Sequence, residues 1–305
     1  MKSRAVVLVA TLLGILMQTA TVPAAQQPIK VAASIFPLAD IVRQIGGKRV
    51  IVATLLPAGA SEHTFEPSAS QIRQVAEVSL YVRVGAGLDG WADKLIASAR
   101  QKPLTVTATS GIRLLVVAEQ QLLPEKGGDA DHHDGDDPHV WLDPILVRDH
   151  LLPAVTEALA QLSPADASYF RANSKNYALA LTRLDRELRS SIDRLPRKGF
   201  IAMHGAWAYL AKRYGLTQVA AVEPFPGKEP SARYLVQLVN IARKQGVTTI
   251  FAEPQLPPKG AQVIAAEIGG KVLLLDPLGG EGLDGRDSYL GLMRYNLATI
   301  TGGMR

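Results

Sequence analysis

The chain of 305 residues contains no cysteine, and only 6% of its residues are aromatic. The absence of cysteine excludes disulfide bonds, thiolate metal ligands, a cysteine nucleophile and a lipidated N-terminal cysteine. Charged residues account for only 20% of the chain, whereas hydrophobic residues account for 47%. This composition excludes a disordered chain and provides enough apolar side chains for two domains. Any chemistry must therefore use histidine, carboxylate, hydroxyl or backbone groups.

The charge of the chain is close to balanced, with 33 Lys+Arg, 28 Asp+Glu and a formal net charge of +5. The basic residues are spread along the sequence, and no run of them alternates with aromatic residues. Since nucleic-acid-binding surfaces usually carry clustered positive charge, we expect no nucleic-acid partner.

The first residues have the three parts of a secretory signal peptide. Lys2 and Arg4 precede the apolar stretch Ala5–Met17, and small residues follow at 21–25. The apolar stretch is shorter than the roughly 18 residues that a membrane-spanning helix needs. We therefore expect residues 1–25 to be a cleavable signal peptide rather than a membrane anchor. Because no cysteine is available for lipidation, the expected location is the periplasm and the protein is not expected to be a lipoprotein.

Short β-branched segments alternate with amphipathic segments in two separate series along the chain. The predicted strands are 29–33, 50–56, 80–84 and 104–107, followed by 200–203, 219–222, 248–252 and 272–275. Such alternation predicts parallel sheets with covering helices, which is an α/β fold. We therefore expect two Rossmann-like lobes. The N-terminal lobe spans 26–162 and includes an acidic His/Asp loop at 129–138, and the C-terminal lobe spans 197–305.

The longest helical pattern lies between the two series, at about 164–195. Its apolar residues recur every three or four positions, at Tyr177, Leu181, Leu184, Leu188, Ile192 and Leu195. A helix of about 30 residues is roughly 45 Å long, which exceeds the width of a small domain. Residues 163–196 are therefore predicted to form a helix that links the two lobes.

Three of the six histidines are placed where a shared site can form. His63, His139 and His204 lie at or near the starts of connections from strand to helix, and Asp276 closes a predicted strand. Ligands of parallel sheets bind beyond the carboxyl ends of the strands, and two facing lobes bring those edges to one cleft. Three imidazoles and one carboxylate suit Zn²⁺ better than the oxygen-only shells of Ca²⁺ or Mg²⁺. This donor set leaves Mn²⁺ and Cu²⁺ open.

Several stretches of the chain resemble the zinc/manganese solute-binding proteins of ABC uptake transporters, the cluster A-I (ZnuA/TroA-like) family. The matching stretches are 33–38, 59–67, 84–91, 137–144, 203–216, 229–231, 251–253 and 275–296. The resemblance implies two α/β lobes joined by a long backbone helix, with the metal site in the interlobe cleft. It also implies that His63 and His139 are ligands from the N-terminal lobe, and that His204 and Asp276 are ligands from the C-terminal lobe.

The same resemblance favours the zinc type, because the third position in manganese members is usually a carboxylate and here it is His204. Glu62, beside His63, competes with Asp276 for the fourth place, and we expect it to be an outer-shell or alternative ligand. His132 and His133 are candidates for weak ligands in the acidic loop.

The resulting hypothesis is a periplasmic protein that captures Zn²⁺ and delivers it to an ABC importer without catalysing a reaction. The implied partners are an inner-membrane permease and its ATPase. A periplasmic metallochaperone is a further candidate partner. We expect the protein to be a monomer. The alternatives are an exported zinc-dependent hydrolase, since three histidines and a water can form a catalytic zinc site, and a manganese-binding or adhesin-like member of the same family.

Overall fold

A computed structural model of the protein describes residues 27–116 and 135–305. The predicted signal peptide at 1–25 lies outside the described residues, as do His132 and His133. Of the predicted acidic loop, only residues 135–138 are described. Within the described part of the chain, no helix is both long enough and apolar enough to span a membrane.

The N-terminal lobe is built on a four-stranded parallel sheet in the order β2-β1-β3-β4. Its strands are β1 (Ile29–Ala33), β2 (Val50–Thr54), β3 (Leu80–Arg83) and β4 (Leu104–Thr107). Its helices are α1 (Phe36–Gly46), α2 (Ala69–Val75), α3 (Gly90–Ile96), α4 (Pro144–Leu146) and α5 (Leu152–Leu162), with a π-helical turn at Val147–Leu151. The buried residues of β1 and β3 are almost entirely apolar, as expected for strands that are covered on both faces.

The C-terminal lobe repeats this arrangement, with a parallel sheet in the order β6-β5-β7-β8. Its strands are β5 (Gly199–Ala202), β6 (Thr217–Ala221), β7 (Thr249–Ala252) and β8 (Lys271–Leu274). Its helices are α7 (Ala208–Tyr214), α8 (Ala232–Gln245), α9 (Lys259–Ile268) and α10 (Tyr289–Gly303). The prediction of two α/β lobes with parallel sheets is confirmed.

One long helix, α6 (Ala167–Asp193), connects the lobes. It begins three residues later than predicted because Pro164–Asp166 form a 3₁₀ turn. The helix packs against α1 and α5 of the N-terminal lobe and against α7 and α10 of the C-terminal lobe. All six residues of the predicted apolar stripe are buried. Because one apolar face serves both lobes, the helix belongs to a hydrophobic core that is continuous between them.

The loop after β8 and the first residue of α10 in the C-terminal lobe contact the N-terminal lobe. The indole Nε1 of Trp141 donates to the carbonyl of Pro277 at 2.8 Å, and the hydroxyl of Tyr289 donates to the carbonyl of Trp141 at 2.7 Å. The backbone N–H of Tyr289 donates to the buried carboxylate of Asp40 at 2.8 Å. These bonds hold the two lobes together beside the cleft in which their strands end.

Candidate metal centre

Four side chains that can bind a metal meet in the cleft between the lobes: Glu62, His63, His139 and His204. One potential ligand atom from each lies within 4.8 Å of the ligand atoms of the other three. The three imidazole rings face one another, with centroids 5.1–5.4 Å apart. Sequence analysis named all four residues, three as ligands and Glu62 as an outer-shell or alternative ligand.

Each of these residues lies in a segment held by local hydrogen bonds. Glu62 and His63 are in the loop after β2, where the indole Nε1 of Trp91 donates to the carbonyl of Glu62 at 3.1 Å. His139 lies directly before a 3₁₀ turn at Val140–Leu142. His204 follows β5, and its carbonyl accepts a hydrogen bond from the amide of Gln218 at 2.8 Å. The two lobes thus supply ligand atoms from short, braced segments.

The distances between the potential ligand atoms fit a small, four-coordinate cation. Nε2 of His139 lies 3.3 Å from Nε2 of His204. Oε1 of Glu62 lies 3.8 Å from Nε2 of His63 and 4.0 Å from Nε2 of His139. A tetrahedral Zn²⁺ with bonds of about 2.0–2.1 Å separates its ligand atoms by roughly 3.4 Å. Small side-chain movements would therefore complete a tetrahedral shell.

The carboxylate of Glu62 is the clearest sign that this site takes a cation. Its side chain is 2% exposed, and its Oε1 has no hydrogen-bond partner among the described residues. A buried carboxylate oxygen without a partner is costly, and burial raises the pKa of Glu62 while the charges of His204 and His139 oppose the rise. A bound divalent cation would supply the missing partner and stabilise the ionised form.

The rings of His139 and His204 each lie beside a further carboxylate besides that of Glu62. This carboxylate contacts Nδ1 of the ring rather than Nε2. Nδ1 of His139 lies 2.7 Å from Oδ1 of Asp137, and Nδ1 of His204 lies 2.6 Å from Oε2 of Glu253. Burial alone would lower the pKa of His204, but the carboxylates of Glu253 and Glu62 outweigh this effect and raise it to about 9. In both rings Nε2 is left to face the centre of the site. This arrangement is typical of histidines that bind metals.

His63 differs from the other two histidines in its exposure. About a quarter of its side chain, 23%, is exposed, against 5% for His139 and 4% for His204. Packing of its ring within the site, together with the charges of His204 and His139, lowers its pKa well below the usual value. His63 is therefore a neutral imidazole at physiological pH, ready to bind a metal from the solvent side.

Asp276 is buried in the C-terminal lobe, as His204 is, but it lies outside the group of four potential ligands. Its Oδ2 accepts a hydrogen bond from Arg286 at 2.8 Å. Its Oδ1 accepts three more, from the amide of Gln255 at 2.9 Å and from the backbone N–H groups of Leu278 and Gly279 at 3.0 Å. Both carboxylate oxygens of Asp276 are thus occupied by protein donors, whereas the carboxylate of Glu62 faces the imidazoles.

Sequence analysis placed neither Asp137 nor Glu253 among the site residues. A usable signal existed for Asp137, since an acidic residue two positions before His139 can reach its ring. The contact of Glu253 with His204 depends on the pairing of β5 with β7, which the order of residues along the chain does not reveal.

The amino-acid sequence is similar to those of known zinc-binding proteins, which agrees with a zinc site in the cleft. The model of a family described as "Zinc-uptake complex component A periplasmic" matches residues 31–303. The chain is 30% identical over 276 residues to the high-affinity zinc uptake system protein ZnuA of Bacillus subtilis, covering 89% of this chain and 86% of that protein. It is 29% identical over 294 residues to the zinc-binding protein AdcA of Streptococcus pyogenes, covering 90% of this chain. The chain spans 56% of the length of that streptococcal protein.

The fold is also similar to that of solved structures of zinc-uptake proteins. A crystal structure of ZnuA superposes with a TM-score of 0.79 at 31% identity, covering 92% of this chain and all of the other. With 92% of the chain covered, the match includes both lobes and the long helix. Because the family model spans nearly the whole described chain, the protein belongs to the ZnuA family of zinc-uptake solute-binding components.

Proposed function

We propose that the protein binds Zn²⁺ in the periplasm and delivers it to an ABC importer. The observation that carries the proposal is the interlobe group of three imidazoles and one buried carboxylate, whose Oε1 has no hydrogen-bond partner in the part of the chain that the structure describes. The spacing of this group suits a tetrahedral zinc ion. Zinc is the substrate here, and it is bound and released without chemical change. The names of the relatives from Bacillus subtilis and Streptococcus pyogenes support zinc as the ion.

The proposed ligands are His63, His139 and His204, with Glu62 as the fourth. Glu62 is favoured over Asp276 because its carboxylate already faces the three imidazoles, whereas that of Asp276 accepts hydrogen bonds from Arg286 and three other donors. A shell with four protein ligands leaves no position for an activated water. This is why we propose transport rather than zinc-dependent hydrolysis.

Ligands from both lobes make capture and release depend on the cleft. His139 and His204 are buried and each lies beside a carboxylate, so their rings are already oriented towards the site, and His204 becomes a nitrogen ligand when it loses its proton. His63 is the ligand nearest to solvent, so we propose that the ion enters and leaves past it. Small movements of one lobe against the other then change the ligand spacing while the long helix α6 limits their extent.

We further propose that the protein is exported through a signal peptide at 1–25. Its N-terminal lobe then extends to residue 162, its linking helix occupies 163–196, and its C-terminal lobe occupies 197–305. As a monomer it would dock on an inner-membrane permease with its ATPase, and a periplasmic metallochaperone would be a further source of ion. The periplasmic family description supports this location.

Isothermal titration of metal-free mature protein with Zn²⁺ and Mn²⁺ tests the proposal. We expect one tight zinc site, weaker binding of manganese, and loss of tight zinc binding in His204→Ala. His150→Ala is the matched control, because His150 lies in the π-helical turn outside the group of four. Unchanged zinc binding in His204→Ala would refute the proposed site. Tight binding of manganese but not zinc would refute the proposed substrate.

A further inference from the structure

Glu253 and His204 are brought together by strand pairing. In the parallel pair β5 and β7, Ala202 lies opposite Phe251. His204 and Glu253 are each two residues further along, at the carboxyl ends of adjacent strands. Their side chains meet there, with Oε2 of Glu253 at 2.6 Å from Nδ1 of His204. The contact is therefore a consequence of the register of the sheet.

The carboxylate of Glu253 is also held from its other side. Its Oε1 accepts a hydrogen bond from the indole Nε1 of Trp207 at 3.2 Å. Trp207 is fully buried, and the side chain of Glu253 is 1% exposed. A carboxylate that is held at one oxygen by a rigid indole has little freedom at the other oxygen. Glu253 thus presents Oε2 to His204 in one orientation.

This contact bears on which nitrogen of His204 is free to bind a metal. A neutral imidazole carries a single N–H, and a carboxylate beside Nδ1 stabilises the form in which Nδ1 holds the hydrogen. The lone pair then lies on Nε2, which faces Nε2 of His139 at 3.3 Å. Asp137 lies beside Nδ1 of His139 at 2.7 Å, so each lobe places one carboxylate next to Nδ1 of one imidazole.

We propose that Glu253 is a positioning residue for the metal site, which holds Nδ1 of His204 so that Nε2 is the zinc ligand. This inference rests on the proposed zinc-binding function. It adds a group that does not touch the ion but determines how tightly the ion is bound. Loss of such a partner typically weakens metal binding by about 10–100-fold.

The test compares Glu253→Gln and Glu253→Leu with the wild type, using zinc affinity from competition with a chelator. A glutamine has one oxygen for two donors, Nδ1–H of His204 and Nε1–H of Trp207, whereas leucine has none. We therefore expect affinity to fall in the order wild type, glutamine, leucine, with a total loss of about 10–100-fold. The graded variants keep the test valid if the leucine variant does not fold.

Glu223→Gln is the matched control. Glu223 is a buried carboxylate that follows the neighbouring strand β6, but its Oε2 accepts from the backbone N–H of Gly227 rather than from a ring nitrogen that lines the site. We expect this variant to bind zinc within about threefold of the wild type, which is well below the loss of about 10–100-fold expected for an orienting partner. An equal loss of affinity in Glu223→Gln and Glu253→Gln would overturn the proposal, since the effect would then reflect loss of a buried charge in general.

Nitrogen-15 NMR of histidine-labelled, zinc-loaded protein provides a readout that a merely structural role would not change. We expect a protected Nδ1–H at His204 with zinc on Nε2, and loss of that protection in Glu253→Leu. Zinc on Nδ1 in the wild type would overturn the proposal, as would wild-type zinc affinity in the leucine variant. Failure of the wild type to bind zinc would instead refute the proposed function, and the Nδ1–H signal of the metal-free protein would still report the contact with Glu253.

Discussion

Nε2 of His139 and Nε2 of His204 lie 3.3 Å apart, although they come from different lobes. Each ring is held from behind by a carboxylate of its own lobe, Asp137 or Glu253. An ion bound between the two nitrogens joins the lobes directly. Occupancy of the site and the relative position of the lobes are therefore linked, and several consequences can be measured.

The identity of the fourth ligand is tested by Glu62→Gln and Asp276→Asn. Glu62→Gln should weaken zinc binding by more than about 100-fold, because loss of an outer-shell partner alone costs about 10–100-fold. Asp276→Asn should leave zinc affinity nearly unchanged, but it should lower the free energy of unfolding by about 2–3 kcal/mol because Arg286 loses its buried partner. Chelator competition and urea denaturation measure the two effects. The reverse pattern of affinities would identify Asp276 as the ligand.

Zinc binding should release protons below pH 9. The pKa of His204 is raised to about 9 in the zinc-free protein, so its ring is protonated at neutral pH and must lose that proton to bind zinc. Affinity for zinc should therefore rise with pH up to about 9 and then level off. Calorimetry at pH 7.5 in buffers with different ionisation enthalpies measures the protons released. Binding enthalpies that do not depend on the buffer would contradict the raised pKa.

The same shift predicts how the stability of the zinc-free protein depends on pH. The pKa of His204 is higher in the folded protein than the unfolded value of about 6.5, so its protonation favours folding. This contribution is fully present below pH 6.5 and is lost as the pH rises through 9. Urea denaturation of wild type and His204→Ala between pH 6 and 10 should show the difference. A parallel pH dependence in the two proteins would contradict it.

Zinc should stabilise the fold by joining the lobes. A ligand present at 100 times its Kd contributes about 2.7 kcal/mol, which raises the Tm of a chain of this size by about 5 °C or more. Addition of a strong chelator should remove this increase in the wild type and in His150→Ala. In His204→Ala the Tm should not respond to chelator. A Tm that is insensitive to zinc in the wild type would show that the ion does not bind preferentially to the folded protein.

Gly227 of the C-terminal lobe lies against Thr64, the neighbour of His63. Its φ is +84°, and an added Cβ would lie 2.8 Å from Cγ2 of Thr64. Gly227→Ala should therefore accelerate zinc dissociation, because it pushes the lobes apart beside the exposed ligand. Gly215→Ala is the control, since Gly215 has a φ of +70° and no atom within 4 Å of an added Cβ.

Both alanine variants should lose about 1 kcal/mol of stability from their left-handed backbone, since glycine alone adopts it without cost. Only Gly227→Ala should change the dissociation rate, which stopped-flow mixing with a chromophoric chelator measures. Equal dissociation rates in the two variants would show that the contact between Gly227 and Thr64 does not control the exit of zinc.

The order of residues along the chain was sufficient to predict the two α/β lobes and the linking helix. Strands with β-branched residues and helices with apolar residues every three or four positions have local signatures, because each reflects the repeat of its own backbone. The buried stripe from Tyr177 to Leu195 is an example. The start of the predicted helix was wrong by three residues, since Pro164–Asp166 form a 3₁₀ turn instead of a first α-helical turn.

The candidate site was only partly predictable. His63, His139 and His204 could be identified because each lies near the start of a connection at the cleft edge of its lobe. The competition between Glu62 and Asp276 could not be settled in this way, and sequence reasoning favoured Asp276. In the folded protein Arg286, Gln255 and two backbone N–H groups surround Asp276, whereas Glu62 faces the imidazoles.

The sequence by itself thus determined the fold class, the residue types of the site and their place at the ends of strands. Tertiary structure alone decided which carboxylate faces the three rings and which ones hold them from behind. The reason is that a carboxylate can accept donors from many parts of the chain, and the choice depends on distances of a few ångströms between segments far apart in sequence. Glu253 reaches His204 only because β7 pairs with β5, and no local pattern along the chain records that pairing.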